Sequence, residues 1–389
     1  MLMGEDSVAA TPQVVVGAGP SGLAAAVTFG AAGRTVRLLE RHDAVGLRYG
    51  DGLQGLENWS ARDDVLQRLR RVGLRTDFTY RPFGEVTFYD SRLRPVIARS
   101  PRPLFYLVRR GPGADTFDGA LLRQAHDLGV EVRTGTVARS AAPGTVVATG
   151  PRAPDGLVVG FTFRSRLPDQ AHVLVHPGLA PAGYAYLLIW DGLATLATFL
   201  FRDRGRWRQA RDSTVAAFET VVPGLQPRDP RPFAGVGSLT AATRFRDGGG
   251  RLYAGEASGL QDPEWGFGML TAVRSGVLAA SSLLGGWDYA EQAHRQLVPA
   301  RDAGLVNRTI FERLPDRIVD PLLRFEAARP DLPGRLRRHW APAWWKSLAV
   351  SQLTGPARQA HAATDRACHR GSCECLECRC AAHPACPVL

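Results

Sequence analysis

The sequence predicts an α/β protein with a Rossmann-like parallel sheet, an interleaved antiparallel sheet and a helical C-terminal region. Three observations support this fold class. A glycine-rich turn between an apolar strand and a helix occupies residues 13–40. Apolar runs separated by Asp-Gly and Pro-Gly fill residues 156–201, as expected of antiparallel hairpins. Residues 288–365 show helical spacing of apolar residues.

The composition is typical of a soluble globular protein and excludes a chain that is disordered throughout. The 389 residues are 45% hydrophobic and 22% charged, and allow two or three domains at about 150 residues each. The formal charge of +11 comes almost entirely from arginine, since Lys346 is the only lysine. These arginines are scattered among acids, whereas a nucleic-acid footprint concentrates on one face. We therefore predict no nucleic-acid partner.

The N-terminal region imitates a membrane span without being one. Residues 7–33 carry no charge, but glycines and prolines interrupt them, and Glu5 and Asp6 stand where a signal peptide needs positive charge. No cysteine precedes Cys368, so the chain has no disulfide framework in its body. The sequence predicts a cytoplasmic location, with peripheral contact at the inner face of the membrane left open.

The first glycine motif falls at a strand-to-helix turn. Val14, Val15 and Val16 form a β-branched run, and residues 23–29 favour a helix. In Gly-x-Gly-x-x-Gly turns the first glycine makes the tight turn, the second admits a pyrophosphate and the third allows close helix packing. The candidate cofactor-binding residues of this turn are Gly17, Ala18, Gly19, Pro20, Ser21 and Gly22.

A carboxylate follows the second predicted strand. Val36–Leu39 ends in Glu40 and then Arg41, at the distance from the turn where an acid accepts hydrogen bonds from a ribose diol. Strand, turn, helix, second strand and acid together predict a dinucleotide site. The alternative is a glycine-rich loop that only turns the chain.

A second glycine-rich motif lies far downstream. A short strand at 252–254 precedes Glu256, and a turn at 263–268 opens a predicted helix over 269–284. The start of this helix offers a second positive dipole end to an anion.

Together the two motifs resemble flavoproteins of the group that includes geranylgeranyl reductases and p-hydroxybenzoate-hydroxylase-like monooxygenases. That group pairs an N-terminal Gly-x-Gly-x-x-Gly with a late Gly-Asp-Ala-Ala-Gly, a Pro…Gly-x-Gly turn and a helix with Ser-Gly…Ala-Ala. The matching positions are Gly255, Glu256, Ala257, Ser258, Gly259, Pro263, Gly266, Gly268, Ser275, Gly276, Ala279 and Ala280. The resemblance implies FAD as the cofactor.

The resemblance also implies residue roles. Glu256 replaces the aspartate that contacts the ribityl and phosphate region, and the backbone of Gly268 and Met269 faces the flavin ring. Arg110, followed by a Phe-Asp pair, is the candidate arginine contact to FAD. Tyr49 stands where geranylgeranyl reductases carry a cysteine, so thiol chemistry is absent there.

The predicted domains are discontinuous. Residues 1–80, 104–150 and 240–290 form the FAD-binding domain, and 81–103 with 151–239 form the antiparallel substrate sheet, including a hairpin around Ser91. Residues 291–365 form the helical C-terminal region, and 366–389 form a cysteine-rich tail.

The stretch Pro181–Ile189 partly matches a geranylgeranyl reductase signature and suggests a wall for a small hydrophobic substrate. Tyr184 and Tyr186 either face that substrate or are core aromatics.

We expect the protein to reduce a carbon–carbon double bond in an isoprenoid- or lipid-like molecule. The alternatives are a monooxygenase acting on a small hydrophobic or aromatic substrate, and an electron-relay or metal-binding flavoprotein. The Trp-x-Trp-x-Ile-Pro run of tryptophan halogenases is absent.

The electron donor and the catalytic acid are not identified by the sequence. A second strand–Gly-x-Gly-x-x-Gly–helix unit is missing, so electrons would come from transiently bound NAD(P)H or from an electron-donor protein. Catalytic residues are therefore left unassigned.

The C-terminal region carries two further patterns. Trp340, Trp344 and Trp345 lie among basic residues, which suits either a peripheral membrane contact or docking onto the FAD domain. Thiolates at the spacing found in the tail can hold zinc or an iron–sulfur cluster, the alternative being an oxidisable tail. The candidate metal ligands are Cys368, Cys373, Cys375, Cys378, Cys380 and Cys386.

Overall fold

The computed structural model describes residues 11–151, 155–176, 178–239, 243–350 and 352. The strands are β1 (Gln13–Val16), β2 (Val36–Leu39), β3 (Leu53–Glu57), β4 (Tyr80–Phe83), β5 (Glu85–Tyr89), β6 (Pro95–Arg99), β7 (Phe105–Arg109), β8 (Glu131–Arg133), β9 (Val146–Val147), β10 (Gly156–Arg164), β11 (Gln170–Leu174), β12 (Tyr184–Trp190), β13 (Leu193–Leu200), β14 (Arg228–Gly237) and β15 (Leu252–Tyr253). The helices are α1 (Pro20–Ala31), α2 (Val65–Arg71), α3 (Phe117–Asp127), α4 (Trp207–Val221), α5 (Met269–Gly285), α6 (Tyr289–Gln296), α7 (Val298–Phe311), α8 (Asp316–Ala328) and α9 (Leu332–Trp340).

The Rossmann-like sheet is present and entirely parallel. Its order is β15-β9-β1-β2-β8. Helices α1, α3 and α5 belong to the core packed around this sheet, with Leu23 and Phe29 of α1 almost fully buried. The strand–turn–helix prediction for residues 13–40 and the helix predicted over 269–284 are both confirmed.

A seven-stranded sheet stands beside it, in the order β14-β10-β13-β12-β11-β5-β6. Its pairings are antiparallel except for β11 with β5. The predicted hairpin around Ser91 is confirmed, since β5 pairs with β6 across that turn. Strand β12 alternates: Ala185, Leu187 and Ile189 pack in a core with Phe218 of α4, while the intervening side chains face the opposite way.

A small third sheet, β3-β7-β4, was not predicted. Its strands are short, and Gly55 and Pro82 interrupt the apolar alternation that marks a strand. The backbone N–H of Leu53 donates to Oγ1 of Thr195 at 2.8 Å. The third sheet is thereby tied to β13 of the seven-stranded sheet.

Helices α6 to α9 confirm the predicted helical C-terminal region as far as the described residues extend. Within the described part of the chain, no helix combines the length and apolarity needed to cross a membrane.

Candidate functional site

The residues singled out in the sequence surround one cavity of about 310 Å³. Of the candidate cofactor-binding residues, all but Gly22 line this cavity. At the other end it is lined by aromatic and apolar side chains of the seven-stranded sheet and of the 265–267 segment. The structure thus brings together segments that are more than 200 residues apart in the chain, while their binding roles stay predictions.

The first glycine turn is shaped by close backbone contacts. Gly17 has φ +96°, and a Cβ there would lie 2.4 Å from the carbonyl oxygen of Ala148. A Cβ at Gly22 would lie 1.8 Å from the carbonyl oxygen of Gly17. At Gly19, in contrast, a Cβ would meet nothing within 4 Å. The space beside Gly19 is therefore open to a ligand, as a pyrophosphate-binding turn requires.

Glu40 is held by the same turn. Its Oε2 accepts a hydrogen bond from the backbone N–H of Ala18 at 2.8 Å, and its Oε1 accepts one from the N–H of His42 at 3.0 Å. Each carboxylate oxygen retains a second lone pair for a hydroxyl donor. The geometry therefore keeps Glu40 fixed at the cavity edge, next to Arg41.

The two glycine motifs touch through a serine of α5. The backbone N–H of Gly255 donates to Oγ of Ser275 at 2.7 Å, and this Oγ lies 3.4 Å from Oγ of Ser21. A Cβ at Gly276 would lie 2.0 Å from the carbonyl oxygen of Ser21. Helices α1 and α5 consequently pack close together behind the cavity.

Glu256 forms an ion pair that the sequence analysis missed. Nη1 and Nη2 of Arg48 each lie 3.2 Å from Oε2 of Glu256, and Nη2 also donates to the carbonyl oxygen of Val236. Arg48 thereby connects the loop before β3, strand β14 and the second motif. The available signal was a single arginine within the glycine-rich segment 46–59.

The second motif ends at the N-terminus of α5. Gly266 has φ +77°, and a Cβ there would lie 2.3 Å from the ring of Phe199. Gly268 is the N-cap residue of α5, and no side chain among the described residues caps this helix start. Both glycines and Met269 line the cavity. The positive end of the α5 dipole therefore lies at the cavity, where it would stabilise a negatively charged group.

Arg110 is buried and already fully engaged. Its Nε and Nη2 donate to Asp118 at 2.7 and 2.9 Å, and its Nη1 donates to Oε1 of Gln54 at 2.5 Å. Asp118 is the acid of the Phe-Asp pair noted in the sequence, where its role as partner was not foreseen. Arg110 also lines the cavity, and its contact to FAD stays a prediction. The hydrogen bonds that the structure shows for its side chain connect it to Asp118 and Gln54.

The far end of the cavity is aromatic. Tyr184 and Tyr186 both line it, together with Phe199, Trp265 and Phe267. The hydroxyl of Tyr184 donates to the backbone carbonyl of Trp265 at 2.5 Å, and burial holds the pKa of Tyr184 well above its ordinary value. The phenol of Tyr184 is therefore un-ionised at neutral pH, which suits an apolar wall.

Two buried carboxyl groups lie near this aromatic end and were not predicted. Burial raises the pKa of Glu57 to about 7, with a smaller contribution from the charge of Asp262. Burial also raises the pKa of Asp262 to about 6, assisted by Glu264. Oε2 of Glu57 has no hydrogen-bond partner among the described residues.

The C-terminal tryptophans divide into two groups. Trp340 packs on Trp59 at a ring distance of 5.7 Å and donates to Oδ1 of Asp262 at 3.3 Å. Trp344 is 77% exposed and Trp345 is 44% exposed. Of the three tryptophans, Trp340 is therefore the one that docks onto the predicted FAD domain, and membrane contact stays a prediction.

The predicted metal ligands, Cys368 to Cys386, lie outside the described residues. Within the described ranges, no group of three or more His, Cys, Asp or Glu side chains is arranged to hold a metal ion.

Comparisons with known proteins agree with this architecture. Residues 15–52 match the family model of the NAD(P)-binding Rossmann-like domain. No curated protein sequence matches the chain significantly. A geranylgeranyl bacteriochlorophyll reductase-like protein from Thermoplasma acidophilum has a similar structure at 17% identity, with a TM-score of 0.66 over 91% of this chain and 98% of that one.

Two further solved structures are similar. The flavin-dependent brominase Bmp2 aligns at 18% identity and a TM-score of 0.61, over 91% of this chain and 98% of that one. The p-nitrophenol 4-monooxygenase from Pseudomonas putida aligns at 16% identity and a TM-score of 0.54, over 85% and 98%. The resemblance found in the sequence is thus confirmed at the level of the fold: the chain has the fold of the flavoprotein group that includes geranylgeranyl reductase-like proteins and related monooxygenases.

Proposed function

We propose that the protein is an FAD-dependent oxidoreductase that reduces a carbon–carbon double bond of a hydrophobic, isoprenoid- or lipid-like substrate. The observation that carries this proposal is one shared cavity, which joins an open glycine turn at one end to an aromatic wall at the other. A dinucleotide with a reactive ring needs both ends.

The residues present fit FAD. Glu40 would receive the ribose hydroxyls of the adenosine half, and the open space beside Gly19 would receive the pyrophosphate. Glu256 and Arg48 line the same cavity, where they would contact the ribityl and phosphate region. The N-terminus of α5 at Gly268 would stabilise negative charge on the reduced ring.

Bound FAD would supply hydride-transfer chemistry: a hydride originating from the donor would reach one carbon of the double bond, and a proton from an acid would reach the other. The chain contributes an apolar wall that excludes water and positions the substrate. Tyr184 holds the carbonyl of Trp265 and thereby keeps the wall in place. The catalytic acid is not assigned.

NAD(P)H is the donor we propose, bound transiently, with an electron-donor protein as the alternative. A different kind of function is the alternative: the protein would act as an electron relay or metal-binding flavoprotein. Its cysteine-rich tail would then bind zinc or an iron–sulfur cluster and pass electrons. Deleting residues 366–389 separates them: unchanged substrate turnover by the shortened protein would argue against the relay.

A flavin-dependent monooxygenase that hydroxylates a small hydrophobic or aromatic substrate is the second candidate. The fold it needs is shared with a p-nitrophenol 4-monooxygenase, and the apolar wall suits an aromatic ring equally well. NADPH-driven oxygen consumption that rises with added substrate would favour this candidate over the reductase.

The test of the proposed function is an absorbance spectrum of the protein purified without oxygen, before and after NADPH and then with geranylgeraniol. We expect a flavin spectrum that bleaches with NADPH and is restored by an alkene substrate under anaerobic conditions. A colourless protein that cannot be reconstituted with FAD would overturn the proposal.

A further inference from the structure

We infer that Glu264 is a positioning residue through which the C-terminal helices hold the segment 265–268 against the cavity. This inference rests on the proposed function for its catalytic consequence. The C-terminal helical region thereby helps to shape the cavity, since α7 and α9 contain the hydrogen-bond partners of Glu264.

The Glu264 carboxylate is buried, with 4% of its side chain exposed. Its Oε2 accepts a hydrogen bond from Nδ2 of Asn307 on α7 at 2.9 Å, and its Oε1 accepts one from Nε2 of His339 on α9 at 2.6 Å. Nδ2 of Asn307 also donates to the backbone carbonyl of His339 at 2.9 Å. One carboxylate therefore joins two helices to the loop that carries it.

The loop is fixed from the helix side at neighbouring atoms as well. Nη1 of Arg308 donates to the carbonyl oxygen of Pro263 at 3.1 Å. A Cβ at Gly304 would lie 2.8 Å from both Oδ1 of Asp262 and Cδ of Pro263. Helix α7 therefore approaches the loop closely.

The segment that follows Glu264 forms part of the cavity wall. Trp265, Gly266, Phe267 and Gly268 all line the cavity, and Gly268 is the N-cap residue of α5. On the other side, Tyr184 of β12 donates to the carbonyl of Trp265 at 2.5 Å. The segment is thus held between the substrate sheet and the C-terminal helices, and Glu264 is the residue whose side chain bonds to both α7 and α9.

A shift of this segment would displace groups that both the flavin ring and the substrate contact in the proposed function. Misplacement by about 1 Å can reduce turnover about a hundredfold even when the change lies away from the chemistry. Loss of the Glu264 charge removes a charge-assisted hydrogen bond. We expect kcat to fall at least about tenfold in Glu264→Gln, with KM changed less.

The experiment compares Glu264→Gln with the matched control Glu326→Gln. Glu326 accepts hydrogen bonds from Arg335 at 2.7 Å and from Arg329 at 3.3 Å, both within the C-terminal helical region. Both proteins are studied as full chains. The measurements are backbone amide exchange over residues 261–270 without FAD, and the flavin absorbance bands, kcat and KM with FAD.

We expect faster amide exchange at Gly266, whose N–H donates to the carbonyl of Asp262 at 3.1 Å, and shifted flavin bands in Glu264→Gln only. His339→Gln, which keeps a donor for the carboxylate, should retain most of the activity, while His339→Leu should resemble Glu264→Gln. Exchange, flavin bands and kcat that match the wild type would overturn the inference, as would an equal effect of Glu326→Gln. Failure of the wild type to bind FAD would sink the proposed function instead, and the exchange result without FAD would still decide the role of Glu264 in holding the segment.

Discussion

The guanidinium of Arg48 bonds to the carboxylate of Glu256 at the wall of the cavity, with both terminal nitrogens 3.2 Å from Oε2. Both residues line the cavity together with Gly19 and Gly268, so a dinucleotide bound there would lie close to them. A carboxylate alone would repel a pyrophosphate, and the arginine offsets that charge. We therefore expect Arg48 to contribute to binding of the phosphates.

The first prediction concerns Arg48→Gln. Loss of a charge-assisted hydrogen bond to phosphate should weaken FAD about ten- to a hundredfold, while riboflavin, which has no phosphate, should bind as it does to the wild type. Equilibrium dialysis with the two flavins measures both affinities. Equal weakening of FAD and riboflavin would mean that Arg48 maintains the cavity rather than contacting phosphate.

The second prediction separates the glycines of the first turn. Gly19→Ala places its methyl group in open space, so its unfolding free energy should stay near that of the wild type while FAD affinity falls. Gly22→Ala forces a Cβ to 1.8 Å from the carbonyl oxygen of Gly17, and should destabilise the fold by about 1–3 kcal/mol or more. Urea unfolding together with FAD titration tests both. Strong FAD binding by Gly19→Ala would contradict the assignment of the pyrophosphate to this turn.

Elements that are specified by neighbouring residues could be predicted from the sequence. The turn at Gly17–Gly22, the strand ending at Glu40 and the helix from Met269 are specified by neighbouring residues, and all were predicted. The placement of Gly255 beside Ser21 was not predicted, because it depends on packing between segments far apart in the chain.

The partners of buried charges could not be predicted. Arg48, Asp118 and Asn307 acquire their roles from residues distant in sequence or on other elements, and no spacing rule connects them. The same holds for the third sheet, whose short strands depend on pairing with β7. Trp340 and Trp344 differ in exposure although both lie in one aromatic and basic run, since only Trp340 reaches Trp59.

The third prediction concerns the buried pair of Arg110 and Asp118. Asp118→Asn would leave the Arg110 guanidinium buried without its counter-charge, which should cost about 3–5 kcal/mol of unfolding free energy. The exposed pair of Arg71 and Asp63 provides the control, and Asp63→Asn should leave stability unchanged within error. Urea unfolding measures both variants. A stable Asp118→Asn with lost FAD affinity would instead favour a direct cofactor role for Arg110.

The fourth prediction follows from the raised pKa of Glu57. Burial lifts this pKa from 4.5 to about 7, so the folded state binds the proton more tightly than the unfolded state. Stability contributed by the protonated group is present below about pH 4.5 and is lost as the pH rises towards 7. The wild type should lose about 3 kcal/mol over this range relative to Glu57→Gln. Urea unfolding at pH 5 and pH 8 measures the difference.

Two controls support this test of Glu57. Asp262 remains in both proteins, so its own titration largely cancels, and Glu326→Gln should follow the wild-type pH profile. Parallel profiles for the wild type and Glu57→Gln would show that water or a structural change solvates the Glu57 carboxylate.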